Sequence, residues 1–194
     1  MLDTYGRKYV NPIIDKTARA LLKVSLKPDQ VTCMAFFIGL LSGIFLYFHL
    51  NLVAVILLWV SGFLDAVDGA MARISKNTSA WGTLMDITFD RAVEMAIVIA
   101  LALKFPEARI YLLILTICIL FSMTIFLTVG ALSEQKGMKS FYYQAGLAER
   151  TEGFIMLSLM SLLTPYLSII TNIFSAAVLF TALQRMSEAK KILK

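Results

Sequence analysis

From Val31 to Leu64 the chain carries no Asp, Glu, Lys or Arg, a 34-residue stretch in which only His49 could bear charge. One helix needs about 20 residues to cross the hydrocarbon of a bilayer, and two need about 40. The stretch is too long for one crossing and too short for two. Its second helix must therefore take in residues beyond Leu64, up to about Arg73, and these include Asp65 and Asp68. The same deficit recurs downstream. Met95–Leu103 is too short to span, so its helix must begin near Trp81 and carry Asp86, Asp90 and Glu94 on one stripe, with Arg91 beside it. Phe154–Gln184, 31 uncharged residues broken at Thr164-Pro165, must likewise draw in Arg150 and Glu152. Ile110–Leu132, by contrast, supplies 23 uncharged residues and spans unaided. Three of six crossings thus bury charge at one end, which demands a shared wet cavity rather than contact with lipid.

The expectation is an all-α integral membrane protein of six transmembrane helices preceded by an amphipathic surface helix. Residues 1–27 form the juxtamembrane helix and residues 28–194 the membrane domain. A hydrophobic fraction of 59% against 16% charged residues, with a mean hydropathy of +0.77, excludes a soluble globule. In the first segment Asn11-Pro12 reads as an N-cap followed by proline at the first helical position. Ile13, Ile14, Thr17, Ala18, Leu21 and Leu22 then repeat at helical spacing, with Asp15, Lys16, Arg19 and Lys23 opposite. Such a helix lies on a membrane surface with its basic side towards anionic lipid, or packs on a partner. The regions near 50 and 165 lack Lys and Arg, whereas the N-terminus, 73–76, 136–139 and 185–194 are basic. The positive-inside rule then puts both termini and the carboxylates on the cytoplasmic side, with Lys104 and Arg109 as the exception. The net charge of +5 reflects this topology, and no basic run with interleaved aromatics points to nucleic acid. Cys33 and Cys118 sit in apolar runs as small core residues, and the first apolar stretch is too long for a cleavable signal peptide. His49, beside Asn51 in a turn, is a solvated histidine. Gly39 and Gly43 make a G-x-x-x-G that serves close helix packing.

Four aspartates inside a membrane need compensation. On insertion scales each costs about 2.5–3.5 kcal/mol at a helix centre. Asp65 and Asp68 stand at i, i+3 and Asp86 and Asp90 at i, i+4, so each pair projects from one helix face. Two such helices facing each other offer an oxygen-rich cluster suited to hard divalent cations.

The full pattern, D-x2-D-G-x2-A-R-x8-G-x3-D-x3-D from Asp65 to Asp90, resembles the signature of the CDP-alcohol phosphotransferase (CDP-alcohol phosphatidyltransferase) family. The resemblance covers nearly the whole chain in helix count, surface helix and motif position. It implies transfer of a phosphoalcohol group from a CDP-linked donor, here a CDP-lipid such as CDP-diacylglycerol, to a small hydroxyl acceptor, with release of CMP. It also implies two divalent ions, Mg²⁺ or Mn²⁺. By position Asp65, Asp68 and Asp86 would hold the ions, and Asp90 would hold the second ion or act as base. Gly69, Ala72 and Arg73 would meet the donor, Arg73 through its phosphates. Pro28-Asp29-Gln30-Val31-Thr32 resembles the family's P-[ND]-x-[ILV]-T segment, so Asp29, Gln30, Val31 and Thr32 would help hold the CDP group. Without the resemblance the same segment reads as a helix start capped by Asp29. Ser79, three residues before Gly82, would also touch the donor.

For the acceptor, Lys136, Lys139, Arg150 and Arg185 are candidates for a phosphate site. Ala148-Glu149-Arg150-Thr151-Glu152, with Gln184-Arg185 later, resembles phosphatidylinositol phosphate synthases, although those usually carry another arginine where Gly153 stands. Inositol phosphate, glycerol 3-phosphate, serine and other polyols all stay open. The resemblance further implies a homodimer in phospholipid biosynthesis. A cation-coupled transporter is the rival, since facing carboxylates also mark ion pathways. That reading expects inverted repeats, and it leaves Gly69, Ala72 and Gly82 without a purpose.

Overall fold

The structure, a computed structural model, describes residues 2–135 and 150–193. All regular structure among them is helical. Helix α1 is Leu2–Lys23, α2 Pro28–Tyr47, α3 Asn51–Ile74 and α4 Ala80–Lys104. After a 3₁₀ turn at Pro106–Ala108 come α5, Arg109–Gln135, and α6, Arg150–Leu162. A second 3₁₀ turn at Thr164–Tyr166 leads into α7, Leu167–Ile192. Among the described residues four segments are long and apolar enough to cross a membrane: Pro28–Tyr47, Asn51–Ile74, Pro106–Leu132 and Thr164–Lys191. Helix α4 is not among them because it carries Asp86, Asp90, Arg91 and Glu94, and Arg150–Leu162, at 13 residues, is too short.

Helices α1–α4 form one compact unit and α5–α7 another. In the first, α2 and α3 make an antiparallel hairpin held by polar contacts within an apolar interface. Ser42 Oγ donates to Ala54 O at 2.7 Å and Ser61 Oγ to Ala35 O at 2.7 Å, both buried. Helix α4 lies against α2 where Gly39 and Gly43 remove side-chain bulk. A Cβ on Gly43 would sit 2.8 Å from the Ala96 carbonyl oxygen, and one on Gly39 would run into Val93. Phe36 and Phe89 stack across the same contact with ring centroids 4.2 Å apart.

Helix α1 differs from the sequence expectation in two ways. It is helical from Leu2 and runs through Pro12, which is therefore interior and not the first helical residue. Residues ahead of the ring already hold helical geometry, so proline is accommodated at the loss of one helical N–H donor. Most of its apolar stripe is taken up by the protein itself, while Ile13 is exposed. Ala18 is fully buried with Val31, Val67, Ala70 and Met71, and Ile14, Leu21 and Leu22 pack around them. The basic side, with Lys16, Arg19 and Lys23, stays exposed. Helix α1 thus braces the half of α3 that carries Asp65 and Asp68.

In the second unit Ile125 and Val129 of α5 pack with Ala182 and Ala189 of α7. Buried hydroxyls there bond back along their own helices, as with Ser158 to Phe154 O, Thr171 to Leu167 O and Ser175 to Thr171 O. That leaves no hydroxyl of the three to be satisfied by lipid.

Candidate active site

The site is built where α3 ends, α4 begins and α2 starts beside them. Helix α3 closes in a Schellman turn: the Lys76 N–H donates to Arg73 O at 3.3 Å and the Asn77 N–H to Ala72 O at 3.0 Å. Lys76 takes the left-handed position with φ 55°. Ser79 then caps α4, its Oγ accepting from the Gly82 N–H at 2.9 Å. Helix α2 begins with Lys27 in the cap position and Pro28 at the first helical residue, so Asp29 is not the cap. The reason is Gln30, whose Oε1 accepts from the Lys27 N–H at 2.9 Å and closes that terminus. Asp29, relieved of capping, lines the cleft; its Oδ1 is 3.6 Å from where a Cβ on Gly82 would lie.

The floor of the site is carboxylate. One oxygen each from Asp65, Asp68 and Asp86 lies within 4.8 Å of the others. Asp65 and Asp68 are only 7% and 5% exposed, while Asp86 is half-buried. Hard divalent ions bind oxygen at about 2.0–2.6 Å, so oxygens at this spacing can share an ion. An all-oxygen, all-anionic donor set without His or Cys suits a hard divalent ion such as Mg²⁺ or Mn²⁺ better than zinc. The residues therefore fit a divalent metal. Asp90, half-buried one turn along α4, stands outside this tight group. Beyond it Glu94, 8% exposed, pairs with Arg91 Nη1 at 2.6 Å, which keeps the deeper part of the stripe neutral.

From Asp68 and Asp86 a cleft of about 180 Å³ runs out past Gly69, Ala72 and Arg73. Its other wall is Thr32 and Asp29 from α2, with Ser79 and Gly82 from α4. Arg73 is exposed and folds back over Gly69, where a Cβ would stand 3.4 Å from Nη1. So six of the eight residues expected to meet the donor share one cleft. Gln30 and Val31 do not line it: Gln30 closes the helix start and Val31 is buried in the core. Asn77, Thr78 and Thr83 line the same cleft, although the sequence pattern does not single them out. Thr83 does carry a signal, since it shares a helix face with Gly82 and Asp86. The other two sit in a turn that no periodicity marks.

Of the acceptor candidates, Arg150 opens α6 as described and lies 5.9 Å from the Phe154 ring, and Arg185 on α7 lies 5.1 Å from that of Phe126. Arg185 is 9% exposed. Lys136 and Lys139 fall outside the described residues.

The CDP-alcohol phosphatidyltransferase family model matches residues 25–184, which takes in every element of this cleft. The chain belongs to the CDP-alcohol phosphatidyltransferase family. It is an enzyme of the phosphatidyltransferase class and a multi-pass membrane protein, and the cation-coupled transporter reading is left without support. Among the relatives of this phosphatidyltransferase is inner membrane protein YnjF of Escherichia coli, 30% identical over 96% of this chain and 94% of that one. The archaetidylinositol phosphate synthase of Pyrococcus horikoshii is 29% identical over 97% and 96%. The phosphatidylinositol phosphate synthase of Mycobacterium tuberculosis, solved with CDP-DAG bound, shares the fold. Its TM-score is 0.73, at 24% identity over 92% of this chain and 94% of that one. The same synthase solved with manganese and citrate superposes with a TM-score of 0.71, at 24% identity over 91% and 88%.

Proposed function

We propose that the protein transfers the phosphatidyl group of CDP-diacylglycerol, or a like CDP-lipid, to a hydroxyl of a polyol phosphate and releases CMP, as a step of phospholipid biosynthesis. The observation that carries this reading is the convergence of Asp65, Asp68 and Asp86 oxygens within 4.8 Å at the end of a cleft that also holds Arg73. In this reading Asp65, Asp68 and Asp86 hold two divalent ions, Mg²⁺ or Mn²⁺. Bound there, such ions neutralise the donor diphosphate and stabilise charge on the transferring phosphoryl group. Arg73 pairs with donor phosphate, and Asp29, Thr32, Gly69, Ala72 and Ser79 shape the remainder of the donor site. The acceptor oxygen bonds to the phosphatidyl phosphorus, the bond from that phosphorus to CMP breaks, and the acceptor proton passes to Asp90.

A polyol phosphate is favoured because a synthase named for archaetidylinositol phosphate aligns along 97% of this chain. Arg150, Arg185, Lys136 and Lys139 are the candidates for its phosphate. The proposal includes six transmembrane helices, α2 to α7, with α1 at the membrane surface. Residues 1–27 serve as the juxtamembrane segment and 28–194 as the catalytic domain. Both termini and the cleft face the cytoplasm, and the assembly is a homodimer, which mass measurement in detergent and in lipid would check.

The deciding experiment is to supply purified protein with CDP-diacylglycerol, Mg²⁺ or Mn²⁺, and inositol phosphate, glycerol 3-phosphate, serine or free inositol in turn. CMP release that depends on both the metal and one polyol phosphate is expected. Absence of CMP with every acceptor tried would reject the reading.

A further inference from the structure

We infer that Asn77 reads the donor's nucleobase, its carboxamide oxygen accepting from the exocyclic 4-amino group of cytosine; this rests on the CDP-donor reading above. Asn77 lines the same cleft as Asp68 and Asp86 and lies beyond the end of α3. Ile74 stands six residues beyond Asp68, an advance of about 9 Å along α3. The Asn77 N–H bonds Ala72 O at 3.0 Å, which holds its backbone at the helix end. On the donor reading, a diphosphate held at the carboxylate end and by Arg73 extends its nucleoside towards this turn.

The backbone at Asn77 is fixed and its side chain is not committed. The preceding Lys76, at φ 55°, completes the Schellman turn and sets where residue 77 points its Cα–Cβ bond. Among the described residues the Asn77 carboxamide makes no hydrogen bond, and the residue is exposed. Its neighbour Ser79 is differently placed, with Oγ engaged by the Gly82 N–H. A carboxamide sets an acceptor beside a donor. Cytosine offers the complement on its Watson–Crick edge, a 4-amino donor beside the N3 acceptor. Among the described residues no backbone group of the turn takes up either atom of that pair.

The test is a chemical double-mutant cycle read as binding of two soluble ligands in the presence of Mg²⁺. One ligand is CDP; the other is the 2-pyrimidinone riboside diphosphate, which lacks only the 4-amino group. On the unaltered protein, loss of the amine should weaken binding about 3- to 10-fold, the range of one hydrogen bond. Asn77→Ala should weaken CDP by a similar factor and bind the two ligands equally. Asn77→Asp, which keeps an acceptor, should retain the preference for the amine even if it weakens both ligands. An amine preference of the same size in Asn77→Ala and the unaltered protein would overturn the inference, as would no preference in either. Failure of CDP itself to bind the unaltered protein would instead remove the donor reading on which the inference stands.

Discussion

Asp86 and Asp90 stand one helical turn apart on α4, yet Asp86 shares the tight oxygen cluster with Asp65 and Asp68 while Asp90 stands outside it. Their losses should differ accordingly. Asp90→Asn should leave Mg²⁺-dependent CDP-lipid affinity nearly intact and slow single-turnover transfer by about 10²–10⁴-fold, the usual worth of general-base assistance. Asp86→Asn should weaken donor affinity as well. If Asp90→Asn lost donor affinity as badly as Asp86→Asn, Asp90 would count as one more metal ligand. Asp65→Asn and Asp68→Asn should each abolish CMP release while the protein still inserts and keeps its elution profile; near-normal turnover at saturating metal would remove either from the ligand set. The spacing of these aspartates makes the cluster legible in the amino-acid sequence, because i, i+3 and i, i+4 pairs on two helices leave few other arrangements. Gln30 and Val31 are not legible in the same way. A segment pattern marks five consecutive residues, but a helix turns each by about 100°, so only those on the cleft side, Pro28, Asp29 and Thr32, reach it.

Three helices end in the same way. Ser25 after α1, His49 after α2 and Lys76 after α3 all have positive φ, at 64°, 63° and 55°. Each donates its N–H to a carbonyl three residues back, and the following residue bonds five back, which defines the Schellman closure. Glycine ordinarily fills that position, since an L side chain there costs about 1–2 kcal/mol. His49→Gly lies far from the cleft in sequence and exposes no core. It should raise the thermal midpoint by about 2–4 °C, corresponding to about 1 kcal/mol, with CMP release unchanged. An unchanged or lowered midpoint would mean that the imidazole contributes something the turn geometry does not require. The expectation of a solvated turn residue at His49 agrees with its exposure there. The turns themselves are hidden in the sequence because none carries the glycine that normally announces them. The α1 start is obscured for the converse reason: Asn11-Pro12 looks like a helix beginning, but local signals lose to a helix already formed upstream.

At the scale of the whole chain, run lengths between charges locate the helices to within a few residues. The expected extension of the second span to about Arg73 meets α3 ending at Ile74, and the expected start near Trp81 meets α4 beginning at Ala80. Charge bias gives orientation less cleanly, because Lys104 and Arg109 fall on the side that should lack basic residues. Lys104 has a structural reason to be there. Its Nζ donates to Asn51 Oδ1 at 2.8 Å and to Leu46 O at 3.2 Å, tying the end of α4 to the turn between α2 and α3. A lysine consumed in this way belongs to the packing at its helix end, so it carries less weight in the charge bias that orients the chain. The proposed topology then places the 48–50 and 163–166 turns outside the cytoplasm and the 75–79 turn inside. In a variant freed of Cys33 and Cys118, a single cysteine at His49 or Thr164 should react with a membrane-impermeant maleimide on intact cells. One at Lys76 should react only after the membrane is opened. Labelling of Lys76→Cys on intact cells would invert the topology and put the carboxylate cleft on the side away from cytoplasmic CDP-linked substrates, which the proposed reaction could not survive.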